Sequence, residues 1–202
     1  MLAWCLGLHV GPLHPRCSTA RMAVEVVDAT LADADMLTAL TVNGLVGELG
    51  SHYGFNNNRA MAYYSISAEQ SNDIRPSLAS KTCITLKAIS DEQLVGFVRI
   101  RPARASDPYP HGMVLDNLVV DSSMRRQGVA ARLMEVAEAR IQRLGNELTL
   151  WVDEDNNPAR AFYLDRGWVE ESDGLADATR YRLDWWKGSV VEACKRVTMR
   201  RQ

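Results

Sequence analysis

The sequence lacks the residue patterns that mark a metal centre or a disulfide framework. Its four cysteines are scattered, with no CxxC or zinc-type spacing, which favours free thiols in a reducing compartment. Its four histidines stand alone, and no two of them have the spacing of ligands on one helix face. We therefore predict no metal site.

The sequence also has little net charge. The formal value of -2 at pH 7 provides no attraction to nucleic acid or to an anionic membrane, so we predict neither as a partner. A hydrophobic fraction of 47%, a charged fraction of 24% and five tryptophans are typical of a soluble globular protein. The 202 residues are enough for one domain with a sizeable core and too few for two.

Acidic residues are missing from the first 21 positions, which contain two arginines. The apolar stretch from Leu2 to Val10 is too short to span a bilayer, and the arginines follow it, which argues against a secretory signal. This composition predicts an organelle transit peptide within residues 1–22 and a plastid or mitochondrial location. The alternatives are a ragged terminus or a true start at Met22, with a cytoplasmic location.

The first half of the remaining chain alternates strand and helix patterns. AVEVVDAT is typical of a short strand, and TLADADMLTALTVNGLVGELG predicts a helix with Thr30 or Asp33 as its N-cap. NNNRAMAYYSISAEQ predicts a second helix, followed by a polar loop that contains Pro76. TCITLKAI and QLVGFVRIR predict a hairpin that turns at SDEQ.

The second half predicts a parallel strand pair joined by a helix. MVLDNLVV is almost wholly apolar, as expected of a central strand buried on both faces. ELTLWV is the next strand and should lie parallel to it, because a helix connects the two as a right-handed crossover. That helix should close at Gly145. Its predicted apolar face consists of Ala130, Met134, Ala137, Ile141 and Leu144.

The remaining segments predict a short helix and a last hairpin. The helix should have Asn157 as its N-cap and Pro158 at its first position. The hairpin should consist of WVEES and TRYRLDWW. We predict one domain of mixed α/β class over residues 23–188. Residues 189–202 are basic, and we expect them to be a frayed or short helical tail; the alternative is a contact with acidic partners.

VVDSSMRRQGVA, between the central strand and the long helix, has the features of an anion site. Unpaired N–H groups and the helix dipole favour negative charge at a helix N-terminus, and Gly128 would let a ligand approach the backbone. Arg125 and Arg126 add full positive charges. Neither the Walker A pattern nor the dinucleotide-binding glycine pattern is present. The alternative is a solvated basic turn that caps the helix.

Two blocks of residues are similar to motifs of the GNAT acetyltransferase superfamily. The turn resembles the pattern Arg/Gln-x-x-Gly-x-Gly/Ala, and NNPARAFYLDRGW resembles Asn-x-x-Ala-x-x-aromatic-Tyr followed by Gly-Phe. The two blocks lie at the usual separation of the family, and Trp168 replaces the usual Phe. The matching positions are Arg125, Gly128, Ala130, Asn156, Ala159, Phe162, Tyr163 and Gly167.

This resemblance implies a fold and a cofactor. The fold would be a mixed sheet of about six to seven strands with about four helices and a splayed pair of parallel strands. Acetyl-CoA would be the donor, with its pyrophosphate on the amides of the turn and its pantetheine arm paired with the central strand. The implied cofactor-binding residues are Leu118, Val119, Val120, Arg125, Arg126, Gln127, Gly128, Val129, Ala130, Ala131 and Asn156.

The resemblance also implies a catalytic residue. Tyr163 would be the general acid that protonates the departing thiolate, and the alternative is a tyrosine packed in the core. The base is inferred from the residues and not from the resemblance: Asp116 lies within an apolar strand and would relay a proton through water, and the alternative is a carboxylate tied to an arginine or the backbone. The acceptor would be a protein N-terminal α-amine or a lysine. The alternatives are a small-molecule amine and a sensor that binds acetyl-CoA without transferring the acetyl group.

A chain that begins at Met22 is expected to fold and to be active, because residues 1–21 add no periodic element to the domain. Acetyl transfer by the purified truncated chain checks this. A truncated chain that is soluble and folded yet inactive would contradict the transit-peptide prediction.

Overall fold

The computed structural model describes residues 23–50, 57–107, 109–184 and 188–201. Within these ranges the chain forms one mixed sheet and four α-helices. The predicted transit peptide lies outside them. The strands are β1 (Glu25–Asp28), β2 (Ile84–Ser90), β3 (Gln93–Pro102), β4 (Met113–Val120), β5 (Leu148–Asp153), β6 (Trp168–Asp184) and β7 (Gly188–Arg201). The helices are α1 (Ala34–Gly50), α2 (Asn57–Ala79), α3 (Val129–Arg143) and α4 (Asn157–Leu164).

The sheet has seven strands in the order β1-β2-β3-β4-β5-β7-β6. All neighbours are antiparallel except β4 and β5, so the predicted mixed α/β class is confirmed. The predicted β2–β3 hairpin is confirmed too. In its turn Asp91 and Glu92 have φ values of 48° and 62°. Two successive left-handed residues are typical of a two-residue hairpin turn whose twist matches that of the flanking strands.

The parallel strands β4 and β5 pair only at their beginnings. The recorded pairs are Met113 with Leu148, Val114 with Thr149 and Leu115 with Leu150, although β4 continues to Val120 and β5 to Asp153. The predicted splaying is thus confirmed. It also corrects the expectation that β4 is buried throughout: its first three residues are buried and the other five are half-buried.

A register shift accompanies this separation on the other edge of β4. Arg99 of β3 pairs with Asn117, whereas Ile100 pairs with Leu115. Asp116 is the extra residue of the bulge, which bends the strand locally. The bulge lies directly after the last β4–β5 pair, so the strand changes direction where the gap opens.

Helices cover both faces of the sheet. Helix α3 packs on the larger core, and α1 and α2 pack on a smaller cluster that contains Leu37, Ile74 and Phe97. The predicted buried face of α3 is confirmed at Met134, Ala137 and Ile141, but Leu144 is 59% exposed. Leu144 follows the last helical residue, and Gly145 at a φ of 67° then turns the chain away. Two buried residues that the pattern did not predict, Val129 and Leu133, complete the contact.

The C-terminal segment corrects the predicted tail. Residues 188–201 form β7, which is inserted between β5 and β6, so a frayed or helical terminus is wrong. Its residues Val197, Thr198 and Met199 are buried. Two of its basic residues pair with acidic residues on the neighbouring strands: Arg196 lies 2.9 Å from Asp153, and Arg200 lies 2.8 Å from Glu171. Part of the positive charge of this segment is therefore neutralised within the sheet.

Two further predictions are corrected. The last hairpin is formed by β6 and β7. WVEES and the first six residues of TRYRLDWW belong to the single strand β6, which has a register shift between Glu170 and Leu175, and the last two lie outside the described residues. Helix α2 continues through Pro76 to Ala79. A proline removes one N–H from a helix and clashes with the preceding turn, and here it lies in the last turn, where few residues follow it.

Gly96 of β3 permits the close approach of α3 to the sheet. A Cβ atom there would lie 2.9 Å from the carbonyl oxygen of Val119 and 3.2 Å from both Val129 and Leu133. We expect Gly96→Ala to lower the free energy of unfolding by about 1–3 kcal/mol, because the added methyl overpacks the contact. Urea unfolding measures the change.

The matched control is Gly44→Ala in α1, where the nearest neighbour of the added Cβ would be Val119 Cγ1 at 3.8 Å, an ordinary contact. It should stabilise the protein by about 0.5–1 kcal/mol through helix propensity. Equal effects of the two substitutions would contradict the overpacking argument.

Candidate active site

The turn between β4 and α3 is held by its own side chains. Asp121 Oδ1 accepts hydrogen bonds from the Ser123 N–H at 2.9 Å and the Ser123 hydroxyl at 2.5 Å. These bonds lower the pKa of Asp121. Gln127 Nε2 donates to the Ser123 carbonyl at 2.9 Å. The chain then passes through Arg126 at a φ of 61° and Gly128 at 88°. The sequence of this turn therefore fixes a left-handed backbone immediately before the helix.

The N-terminus of α3 has the properties of an anion site. The carbonyl of Gly128 accepts the first helical bond, from the Arg132 N–H at 3.0 Å, and the N–H groups that precede Arg132 in the first turn have no intrahelical acceptor. Arg125, Arg126, Gln127 and Gly128 are exposed. The dipole of the helix and the two arginines make this surface positive.

A cavity of about 340 Å³ lies beside this terminus. Its position, beside the exposed amides and cationic side chains, fits a diphosphate. The residues that line it are Val24, Gln127, Gly128, Ala131, Arg132, Glu135 and Arg166. The arrangement agrees with the predicted cofactor-binding turn, whose individual residues remain predictions.

The second half of β4 presents backbone groups to the gap. The Asp121 N–H donates to the Val95 carbonyl of β3 at 2.9 Å, so the backbone groups of Val119, two residues earlier, also point to β3. Those of Leu118 and Val120 point the opposite way, because the direction alternates along a strand. That edge of β4 faces β5, but the pairing of the two strands ends at Leu115 and Leu150. An extended chain with amide groups could pair with β4 here, as predicted for pantetheine.

Helix α4 begins at a cap and ends in the core. The Asn156 side chain accepts a hydrogen bond from the Ala159 N–H at 3.2 Å, so Asn156 is the N-cap and the prediction of Asn157 is wrong. Pro158 accordingly lies one position further into the helix. The predicted contact of Asn156 with the cofactor remains a prediction. Its capping bond fixes the exposed amide where β5 leads into α4.

Tyr163 lies in the α4 turn that packs against the sheet. It is 7% exposed, and its ring lies 5.2 Å from that of Phe162 and 5.7 Å from that of Trp168 between centroids. Trp168 is anchored in turn, since its Nε1 donates to Glu138 of α3 at 3.1 Å. Burial raises the pKa of the Tyr163 hydroxyl, so it is protonated at neutral pH. Burial of this kind is expected of a packed tyrosine, and a raised pKa weakens the hydroxyl as an acid, so the acid role of Tyr163 remains a prediction.

Asp116 lies among arginines rather than in an apolar environment. Its Oδ2 accepts a hydrogen bond from Arg99 Nη2 at 2.6 Å, and its Oδ1 lies 3.4 Å from Arg101 Nε. Arg99 Nη2 also pairs with Asp73 of α2. The alternative of a carboxylate tied to an arginine is therefore the one observed. Asp116 would have to leave a guanidinium before it could take a proton, and its role as a base remains a prediction.

Arg101 extends this group into the connection between β3 and β4. Its Nη1 lies 2.7 Å from Asp107 Oδ2, and its guanidinium lies 5.6 Å from the centre of the Trp151 ring. Burial opposes the ionisation of Asp107, but hydrogen bonds from Arg101 and from the Arg104 N–H lower its pKa. We call Asp73, Arg99, Arg101, Asp107 and Asp116 the arginine–aspartate cluster.

Sequence reasoning identified Asp116 but missed the two arginines beside it. Arg99 and Arg101 are 2% and 6% exposed, which is rare for arginine unless it is paired. The signal was present in FVRIR, where both arginines occur inside an otherwise apolar strand. Their partners come from α2, β4 and a loop, so no local pattern connects them.

The described residues contain no group of three or more His, Cys, Asp or Glu side chains that could hold a metal ion. Likewise, no helix in the described part of the chain is long and apolar enough to cross a membrane.

Comparisons with solved structures agree with this geometry. PaiA N-acetyltransferase from Thermoplasma acidophilum, in complex with coenzyme A, aligns with a TM-score of 0.59 at 15% identity, over 90% of this chain and 99% of its own. Ribosomal-protein-alanine N-acetyltransferase from Brucella melitensis gives 0.58 at 17%, over 88% and 98%. Aminoglycoside 6'-acetyltransferase type Ii gives 0.59 at 20%, over 88% and 96%. At these identities the likeness shows the fold.

Sequence comparison supplies the family. No curated protein matches the chain, but the profile of the Acetyltransferase (GNAT) family matches residues 52–168, which is more than half of the 202 residues. Acetyl-CoA is the co-substrate of this family. The turn at the N-terminus of α3 and the open edge of β4 lie within the matched region. The chain therefore belongs to the GNAT family of acetyl-CoA-dependent N-acetyltransferases.

Proposed function

We propose that the protein transfers the acetyl group to a peptide or protein amine, either an N-terminal α-amine or a lysine. The observation that supports acetyl transfer is the gap between β4 and β5, with the exposed N-terminus of α3 beside it. Glu154 and Asp155, which directly follow β5, are exposed, and carboxylates there favour the approach of a cationic amine. The fold likeness to a ribosomal-protein-alanine acetyltransferase supports a protein acceptor. The likeness to an aminoglycoside acetyltransferase keeps a small-molecule amine as the second candidate.

Some residues of this chain would bind and orient acetyl-CoA, and another would take part in the chemical step. The turn from Arg125 to Ala131 would bind the diphosphate, and the outward edge of β4 at Leu118 and Val120 would orient the pantetheine arm. Bound acetyl-CoA supplies an activated thioester. Burial keeps the Tyr163 hydroxyl protonated. Tyr163 would donate this proton to the departing sulfur. The acceptor amine must reach the gap in its neutral form.

Gly128 tests the cofactor site. We expect Gly128→Val to weaken acetyl-CoA binding more than tenfold, that is by more than about 1.4 kcal/mol. A β-branched side chain would obstruct the approach to the backbone and would strain the φ of 88°. Titration calorimetry with acetyl-CoA measures the change.

The matched control is Gly145→Val, at the other end of α3. Gly145 also has a positive φ, 67°, and nothing lies within 4 Å of an added Cβ. It should impose a similar backbone strain without altering acetyl-CoA affinity. If both variants bind acetyl-CoA as the unmodified protein does, the turn is not the diphosphate site.

Tyr163→Phe tests the proposed acid. If the hydroxyl donates its proton only as the thioester breaks, kcat should fall by about 10- to 1,000-fold while acetyl-CoA affinity stays nearly constant. Phe retains the ring, so packing against Phe162 and Trp168 should survive. Steady-state kinetics and calorimetry measure the two quantities.

Two results would contradict the acid role of Tyr163. An unchanged kcat on a good acceptor would leave Tyr163 with a packing role. A variant that fails to fold would show that the hydroxyl satisfies a buried group. If the unmodified protein binds acetyl-CoA but acetylates no peptide, protein or small amine, the sensor alternative is favoured over transfer.

A further inference from the structure

The arginine–aspartate cluster lies on the sheet face opposite α3, at the point where β4 and β5 separate. Phe97 and Val119 are paired across β3 and β4 and pack in the cluster beneath α1 and α2. Arg99 and Asn117 form the pair two residues along, and side chains two apart share a face. The contact of Arg99 with Asp73 of α2 agrees with this placement. Asp116 directly follows Leu115, the last β4 residue paired with β5.

Helices α1 and α2 lie over this face. Helix α2 contacts β7, and α1 contacts β4 and β6. The opposite face is filled by α3, whose Leu133 and Met134 are fully buried. An amine that reaches a thioester lying in the gap would find apolar packing on the α3 side and polar side chains on the α1 and α2 side.

Several buried polar atoms on this face have no hydrogen-bond partner among the described residues. The donors are Arg99 Nε, Arg99 Nη1, Arg101 Nε and Trp151 Nε1, and the acceptor is Asn117 Oδ1. Arg101 Nε lies 3.4 Å from Asp116 but without hydrogen-bond geometry. A buried polar atom without a partner costs stability and needs an explanation, such as a bound ligand. The unpaired atoms are mostly donors, so the missing partner is rich in acceptor oxygens.

The charges of the arginine–aspartate cluster indicate whether the missing acceptor oxygen belongs to a charged or a neutral group. The guanidiniums of Arg99 and Arg101 are balanced by Asp107 and Asp116, whose side chains are 8% and 20% exposed. Asp73, which also pairs with Arg99, adds a further negative charge at the surface. An added carboxylate would be left without a cation of its own, and burying an unpaired charge is costly. A neutral carbonyl oxygen supplies the acceptor without a charge.

We propose that Arg99 and Trp151 bind a neutral carbonyl oxygen of the acceptor next to its amine, so that the enzyme selects amines that carry a peptide carbonyl. Asn117 Oδ1, a buried acceptor without a partner among the described residues, would accept an N–H of the same acceptor molecule. This inference rests on the proposed transfer to a peptide or protein amine and identifies the residues that recognise it. It makes Arg99 and Trp151 specificity-determining residues rather than structural ones.

Three acceptors and one conservative variant test the proposal. The acceptors are alanine amide, free alanine and a simple alkylamine of similar size, each titrated into the complex of the full chain with coenzyme A and each assayed for acetylation. The variant is Arg99→Lys, which keeps a cation for Asp73 and Asp116 but lacks the unpaired guanidinium N–H groups. Arg140→Lys is the matched control, at a half-buried arginine of α3 that pairs with Asp28.

The unmodified protein should bind alanine amide roughly ten- to hundredfold more tightly than the alkylamine. Arg99→Lys should remove most of this preference: the dissociation constant and KM for alanine amide should rise, and the dissociation constant for the alkylamine should change much less. Trp151→Phe should remove part of the preference. Arg140→Lys should leave it intact.

The outcomes separate this inference from the proposed function. Arg99-dependent binding of alanine amide without any acetylation would support the inference and contradict transfer. Acetylation of all three acceptors with equal KM would support transfer and overturn the inference. Tighter binding of free alanine than of its amide, or a preference unchanged in Arg99→Lys, would also overturn it, the first in favour of a carboxylate-bearing acceptor.

Discussion

Pairing between β4 and β5 ends after Leu115 and Leu150, and the candidate site is arranged around the gap that follows. Two parallel strands held together over their full length would occupy the backbone groups that β4 presents at Leu118 and Val120. The gap is stable because each strand keeps its other neighbour: β4 remains paired with β3 up to Val120, and β5 pairs with β7 up to Asp153. The sheet therefore opens internally without losing either strand.

The helix that follows β4 depends on two glycines with different physical roles. Gly96 removes a side chain where a Cβ would meet Val119, Val129 and Leu133, so the first turn of α3 lies directly on β3. Gly128 supplies the left-handed backbone at the N-cap, which turns the chain sharply and exposes the amides behind it. Close packing of the helix thereby fixes the position of its N-terminus beside the end of β4.

The arginine–aspartate cluster explains how charged side chains are tolerated beneath α1 and α2. Arg99 and Arg101 are nearly fully buried, and burying such ions is costly unless they are paired. Asp107 and Asp116 supply half-buried partners, and Asp73 supplies one at the surface. Arg99 and Arg101 are each paired with an aspartate of low exposure, yet buried guanidinium N–H groups keep no hydrogen-bond partner among the described residues. Those N–H groups distinguish the cluster from a fully satisfied structural salt bridge.

The sequence by itself determined the parts of this protein that depend on neighbours close in the chain. The turn VVDSSMRRQGVA, the crossover from MVLDNLVV through α3 to ELTLWV, and the two motif blocks were all predicted, because caps, turns and helix periodicity are local. Tertiary structure alone decided the rest. The basic C-terminal residues predicted a frayed or short helical tail, whereas Arg196 and Arg200 pair with Asp153 and Glu171 in the sheet. For Asp116 the sequence left open a proton relay or a carboxylate tied to an arginine or the backbone, and the folded chain brings Arg99 and Arg101 to it. Such pairings join residues distant in sequence, and whether a charge is solvated, neutralised or left with unused hydrogen bonds depends on partners that only the folded chain brings into contact.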